Sequence, residues 1–262
     1  MLNEAMMRTV TMLIFGFSLL GTAIQAEIRK FDRATIEKLG VAIYEQDIRA
    51  AAATDLMYEN KINAVEAHIR GWIVEGDAKS MLVRFVCDNG GKMEAAYDIS
   101  FVGKQAPVLR KSTNPELSAT QIAQFKARSL VGQHITRPAS NRYNVVISPD
   151  PEGDRWLVYA LAATTEPNAI MVGGHYRFTV SKDGERLERS DELFKDFMVL
   201  SSKPPDLPEG SSVAALTMTT LVSNLPLETH VYLSLLHHMT FYVGTADQKV
   251  WKVEHGKIQE AN

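Results

Sequence analysis

Ser80-Met81-Leu82-Val83-Arg84-Phe85-Val86-Cys87-Asp88, then Asn89-Gly90-Gly91 and a further run over residues 92–102, is the stretch that sets the fold class. In an extended chain Met81, Val83, Phe85 and Cys87 share one face, and Arg84 and Asp88 share the other. Such alternation marks a sheet with one buried side. Asn-Gly-Gly joins the two runs as a hairpin turn, so the pair is antiparallel. A run over residues 68–75, closed by Gly76-Asp77, supplies a third strand.

Helices flank this hairpin in the sequence. Asp32 is placed to cap a helix over residues 33–55, with Ile36, Leu39 and Ile43 on one face, widened by Val41, Tyr44 and Ile48. Gly40 interrupts it, and Ala50 to Ala53 favour helix and close packing. Downstream, Ser118 and Gln121 form a capping box for a second helix, which Gly132 is placed to end. Strands over residues 143–148, 155–164 and 175–181 follow. Trp156 to Ala163 is apolar on both faces, as in a strand central to its sheet.

The order of elements suggests an αβββ-αβββ pseudo-repeat, with halves 27–110 and 111–200. It predicts an α+β body of antiparallel sheets packed by two helices. A Pro-rich stretch at 201–212, Ser201-Ser202-Lys203-Pro204-Pro205 at its head, reads as a linker. Beyond it, residues 213–222 fit helix or strand. Residues 228–236, 240–244 and 249–254 read as an antiparallel β extension packed on the body, since about 50 residues rarely stand alone.

Residues 1–26 read as a secretory signal peptide. Arg8 precedes the apolar run Val10 to Leu20, and Gly21, Thr22, Ala23 and Ala26 form a small-residue exit, with cleavage after Ala26 or Ala23. Met6 or Met7 as the start gives a tidier leader. The run is shorter than the roughly 20 residues of a membrane-spanning helix. No cysteine stands at the cleavage point to take a lipid, and the one cysteine, Cys87, can form no intramolecular disulfide. A periplasmic address follows, because a secreted eukaryotic chain of this size would carry several bridges.

The 262 residues are 45% hydrophobic and 23% charged, which excludes disorder, coiled coil and a multispanning membrane protein. A net charge of −3 leaves no basic excess for nucleic acid. The chemistry that can be tested by motif is sparse. The seven histidines form no His-Glu-x-x-His, and Cys-x-x-Cys, the nucleophile elbow of the mature chain and the phosphate-cradling glycine loops are missing. No cofactor and no metal are therefore expected. Cys87 sits on an apolar strand face, where a thiol is inert. Adjacent His237 and His238 suit a polar turn, and Asp150, Glu152 and Asp154 suit a solvated turn better than a calcium loop.

Two candidate binding positions remain. In Gly173-Gly174-His175-Tyr176-Arg177 the glycines permit unusual backbone angles, and His175 and Arg177 share a strand face that could take an anion or carboxylate. A solvent-facing polar strand side explains the same pattern. Glu228 and His230 would share a face of the next strand, as two ligands awaiting a third or as a surface ion pair.

The strings Tyr143-Asn144-Val145-Val146-Ile147 and Trp156 to Thr165, with Gly173 to Arg177, Glu228-Thr229-His230-Val231-Tyr232, Tyr242-Val243-Gly244-Thr245 and Val250-Trp251-Lys252-Val253, resemble secreted proteobacterial proteins of no assigned function. The resemblance covers roughly residues 120–255. It implies export and a β-rich body, and it carries no catalytic residues. The sequence reading is thus a non-catalytic periplasmic binding protein with a protein partner in the cell envelope, as an immunity or inhibitor protein would have. A periplasmic hydrolase centred on His175 or on Glu228 and His230, and a small-ligand carrier, are the alternatives.

Overall fold

A computed structural model describes residues 27–206, 208 and 212–261; the signal-peptide reading of residues 1–26 lies outside them. The fold is α+β with antiparallel sheets, built from three helices and fourteen strands among the described residues. Helix α1 (Arg33–Glu59) starts where Asp32 accepts a hydrogen bond from the Thr35 N–H at 2.7 Å. It is followed by β1 (Ile69–Asp77), β2 (Ser80–Asn89), β3 (Lys92–Val102) and β4 (Val108–Lys111), an antiparallel meander in that spatial order. Helix α2 (Ala119–Val131) begins with the capping box of Ser118 and Gln121. Gly132 keeps a right-handed φ of −56° and leads into a single 3₁₀ turn, so the helix tightens there instead of turning left-handed.

The second sheet runs β5 (Tyr143–Pro149), β6 (Arg155–Ala162), β8 (Tyr176–Ser181), β9 (Leu187–Glu192). A separate two-stranded ribbon pairs β7 (Ala169–Val172) with β10 (Met198–Ser201). The third sheet departs from the antiparallel extension expected there. β11 (Ala215–Thr219) pairs parallel with β12 (Thr240–Gly244), and β13 (Val250–Glu254) and β14 (Lys257–Glu260) follow antiparallel. The crossover between the parallel strands is helix α3 (Glu228–Leu236), in place of the strand expected at residues 228–236. Parallel neighbours need such a crossover, and a β-hairpin cannot supply it.

Strand β6 is apolar on both faces because both are covered. Trp156, Val158 and Ala160 meet Ala127 and Val131 of α2. Leu157, Tyr159 and Leu161 share a core with Ile36, Leu39 and Ile43 of α1 and Val231 and Leu233 of α3. The same core includes Phe241, Val243, Val253 and Ile258, so the third sheet closes over α1 and α3. At about 40 Å, α1 is long enough to reach the first sheet, where Ala53 and Met57 pack on Met81, Val83 and Phe85.

Two local details correct the reading of this region. A register shift between Phe85 and Val86 breaks the alternation of β2, so Val86 is buried while Cys87, expected on the apolar face, is only half-buried. Gly40 is a point of very close approach between α1 and α3. A Cβ there would stand 2.4 Å from Val231 Cβ and 2.7 Å from the Glu228 carbonyl oxygen.

Candidate functional site

Arg177 lies mid-way along β8, whose odd and even residues face opposite layers. Tyr176, Phe178 and Val180 turn toward α2, and Arg177 turns toward the core beneath α3. Its guanidinium is 1% exposed and fully engaged. Nε and Nη2 donate to Asp191 Oδ2 at 3.1 and 2.7 Å across the β8–β9 pair, and Nη1 donates to Glu228 Oε1 at 2.5 Å. Nη2 also donates to the Arg29 carbonyl, and the Phe31 ring lies 4.7 Å from the guanidinium carbon. The Tyr159 hydroxyl donates to the same Glu228 oxygen at 3.1 Å, and Arg189 pairs with Asp191 at 2.6 Å. Burial alone would lower the Arg177 pKa; Glu228, Tyr159 and Asp191 outweigh it and raise it.

The anion-binding role expected for Arg177 is therefore wrong. Two carboxylates of its own chain and a backbone carbonyl take its donors, and none of it faces solvent. The solvent-facing strand side expected as the alternative is likewise replaced by a buried ion cluster. Glu228 and His230 do not share a strand face, because they stand in the first turn of α3, where residues two apart point in different directions. Glu228 belongs to the Arg177 cluster. His230, three residues past the N-cap Leu227, accepts the Leu227 N–H at Nδ1 (2.8 Å). This is half of a capping box, with imidazole in the place usually held by Glu or Gln.

Residues 27–31 are bound to the same cluster. Arg29 donates to both Asp150 oxygens at 2.7 Å and to Glu152 at 2.7 Å, and Arg155 also reaches Asp150 at 3.0 Å. The acidic turn expected to be solvated thus holds an arginine. Burial acts to raise the Asp150 pKa, but the Arg29 hydrogen bond and charge hold it below the usual carboxylate value.

His175 sits just before β8 and is 2% exposed. Gly173 and Gly174 bring the chain to it at φ of +88° and +73°. A Cβ on Gly173 would stand 2.7 Å from the Asp196 carbonyl oxygen, and one on Gly174 would stand 2.3 Å from Ala139 Cβ. These glycines therefore serve conformation and close approach, as their sequence suggested. His175 Nδ1 accepts the Ala162 N–H at 3.0 Å, while Nε2 is buried with no hydrogen-bond partner among the described residues.

His175 and His230 line one cavity of about 170 Å³, between the β7–β10 ribbon, β11 and α3. Val172, Leu193, Met218 and Leu233 give its apolar wall, and Thr220 and Thr229 its hydroxyls. Phe197, Met198 and Leu221 stand exposed at its mouth, Leu221 at 62%. None of the wall residues other than Gly173, His175 and His230 carries a signal in the sequence. The lining comes from four separate segments, and only folding assembles them.

Burial lowers the His175 pKa to about 4, against the opposing effect of the Met171 backbone. Burial, with His175 adding to it, lowers that of His230 to about 3. Both rings are therefore neutral near pH 7. The unfolded chain takes up these protons near pH 6.5 and the folded chain does not. The stability they confer is complete above that value and is lost as pH falls toward 4 and 3, by at most about 1.4 kcal/mol per pH unit for each ring. Urea unfolding should show a lower midpoint at pH 5.0 than at pH 7.5; equal midpoints would refute the neutral buried rings.

Among the described residues no three His, Cys, Asp or Glu side chains come together to hold a metal ion, and no helix is long and apolar enough to cross a membrane. Comparison of the chain with protein-family models, curated proteins and solved structures finds no match.

Proposed function

We propose that this chain is a non-catalytic, exported binding protein whose ligand occupies the cavity beside His175 and His230. The observation that carries this reading is the cavity itself: an apolar wall with a few polar groups placed on it. The leader-like residues 1–26 support a periplasmic address. The non-catalytic reading rests on the two rings. In a hydrolase triad the histidine donates its Nδ1–H to a carboxylate and its pKa lies near working pH. Here each Nδ1 accepts from a backbone amide, and pKa values of about 4 and 3 make weak bases.

The test is thermal melting with isopropylbenzene, a compact apolar probe. A saturable rise in melting temperature is expected, and Leu221→Trp, which enlarges an exposed side chain at the mouth, should weaken it at least tenfold. No rise at any soluble concentration would overturn the ligand reading.

A second reading, a protein partner in the cell envelope as for an immunity or inhibitor protein, is favoured by the mouth. Phe197, Met198 and Val199 are exposed on and beside β10, which among the described residues pairs with β7 alone and so offers an edge to an added strand. A stoichiometric envelope protein captured by the wild type and lost with Val199→Asp would support it.

A further inference from the structure

We infer that the ligand is an elongated amphiphile, such as a monoglyceride of a short fatty acid, whose apolar tail fills the cavity beside His175 and His230 and whose uncharged polar head lies in a second cavity next to the mouth. The inference rests on the ligand reading given above and adds the head site and the class of ligand. The second cavity, of about 250 Å³, is bounded by the N-terminal segment 27–30, by residues 221–224 beyond β11 and by Ala246 beyond β12. Lys195 and Leu221 line both cavities, so the mouth of the first opens beside the second. At about 170 and 250 Å³, either one alone is smaller than a usual small-molecule site of roughly 300–1,000 Å³. A ligand that crosses Leu221 uses both.

The two cavities differ in chemistry. The first has its apolar wall of Val172, Leu193, Met218 and Leu233, whereas Lys30, Lys195, Ser223 and Asn224 contribute to the second. An apolar cavity of about 150 Å³ takes up benzene, so the tail of the ligand ends near six carbons. The charges around the openings settle the head. Lys30 and Lys195 are matched by Glu27 and Asp196, and all four are exposed. Glu27 pairs with Lys30, and Asp196 accepts the Phe197 N–H at 2.9 Å. Two charges of each sign give neither a carboxylate nor an ammonium a net attraction, and one exposed ion pair contributes at most about 1 kcal/mol. A charged head also sits beside an apolar cavity, where desolvation penalises it. A diol donates and accepts, which suits ammonium donors, carboxylate acceptors and the Asn224 amide, which does both.

Titration calorimetry on the wild-type chain separates the possibilities with four probes of one tail: monohexanoylglycerol, methyl hexanoate, hexanoate and hexylammonium. The glyceride should bind about fivefold more tightly than methyl hexanoate, which has the same tail and ester but no diol. Hexanoate and hexylammonium should both bind more weakly than the glyceride. From monobutanoylglycerol to monohexanoylglycerol the affinity should rise about fourfold per methylene, and it should level off beyond that length. Ala246→Trp enlarges an exposed residue of the second cavity and should bring the ratio of glyceride to ester affinity to about one. Equal binding of glyceride and ester by the wild type would overturn this inference, as would tighter binding of hexanoate or hexylammonium, or an undiminished ratio in Ala246→Trp. With any of these results, binding of isopropylbenzene would still leave the first cavity a ligand site. Binding of neither isopropylbenzene nor any of the four probes would remove both readings together.

Discussion

Arg177→Met is expected to lower the melting temperature of the chain by roughly 10 °C. The substitution removes the only guanidinium among the described residues that reaches both Asp191 and Glu228, each about 1% exposed at the side chain. Breaking a buried pair by deleting one partner costs about 3–5 kcal/mol, because the remaining charge stays buried without compensation. For a chain of this size each kcal/mol corresponds to about 2–4 °C. The loss also frees the Arg29 carbonyl and one face of the Phe31 ring, so residues 27–31 should become open to limited proteolysis. Adding Glu228→Gln should restore part of the loss, since the amide keeps the shape while discarding the charge. A melting temperature within 2 °C of wild type would show that the ion cluster does not stabilise the fold.

Gly40→Ala should destabilise the protein by about 2 kcal/mol, although the same exchange on an exposed helix stabilises by up to about 1 kcal/mol. The sign is decided by the α1–α3 crossing. The new methyl would lie 2.4 Å from Val231 Cβ and 2.7 Å from the Glu228 carbonyl oxygen, both on a helix tied to the rest of the core. Neither is the free end of a flexible side chain, so the two helices must separate. That movement would also disturb Glu228 and His230 at the start of α3 and with them the cavity. Chemical denaturation of the variant measures the effect; unchanged or raised stability would mean that α3 can shift at little cost.

The helices that were legible in the sequence announce themselves locally. Asp32 and Ser118 mark two helix starts by capping chemistry that requires only neighbours in the chain. The hairpin β2–β3 is equally local: alternation on either side of Asn89-Gly90-Gly91 fixes the pairing. Helix α3 was not legible. Glu228-Thr229-His230-Val231-Tyr232 has β-branched and aromatic residues that read as strand, and seven residues from Glu228 to Ser234 are buried, so no polar face marks its period. Its helical state is imposed by the parallel pairing of β11 and β12, made across twenty intervening residues.

His175, Arg177, Glu228 and His230 could be singled out from the sequence as unusual, but not sorted. Tertiary structure places Arg177 and Glu228 in one ion cluster and His175 and His230 in the wall of one cavity. Residue types and spacing by themselves determined the α+β class, the caps, the hairpins and the central position of β6, because these depend on period and on contacts within a few residues. Which polar groups find partners inside the chain was decided only by the folded chain. A guanidinium on a strand is the same residue whether it faces water or two buried carboxylates, and the partners that settle it stand 14 and 51 positions away.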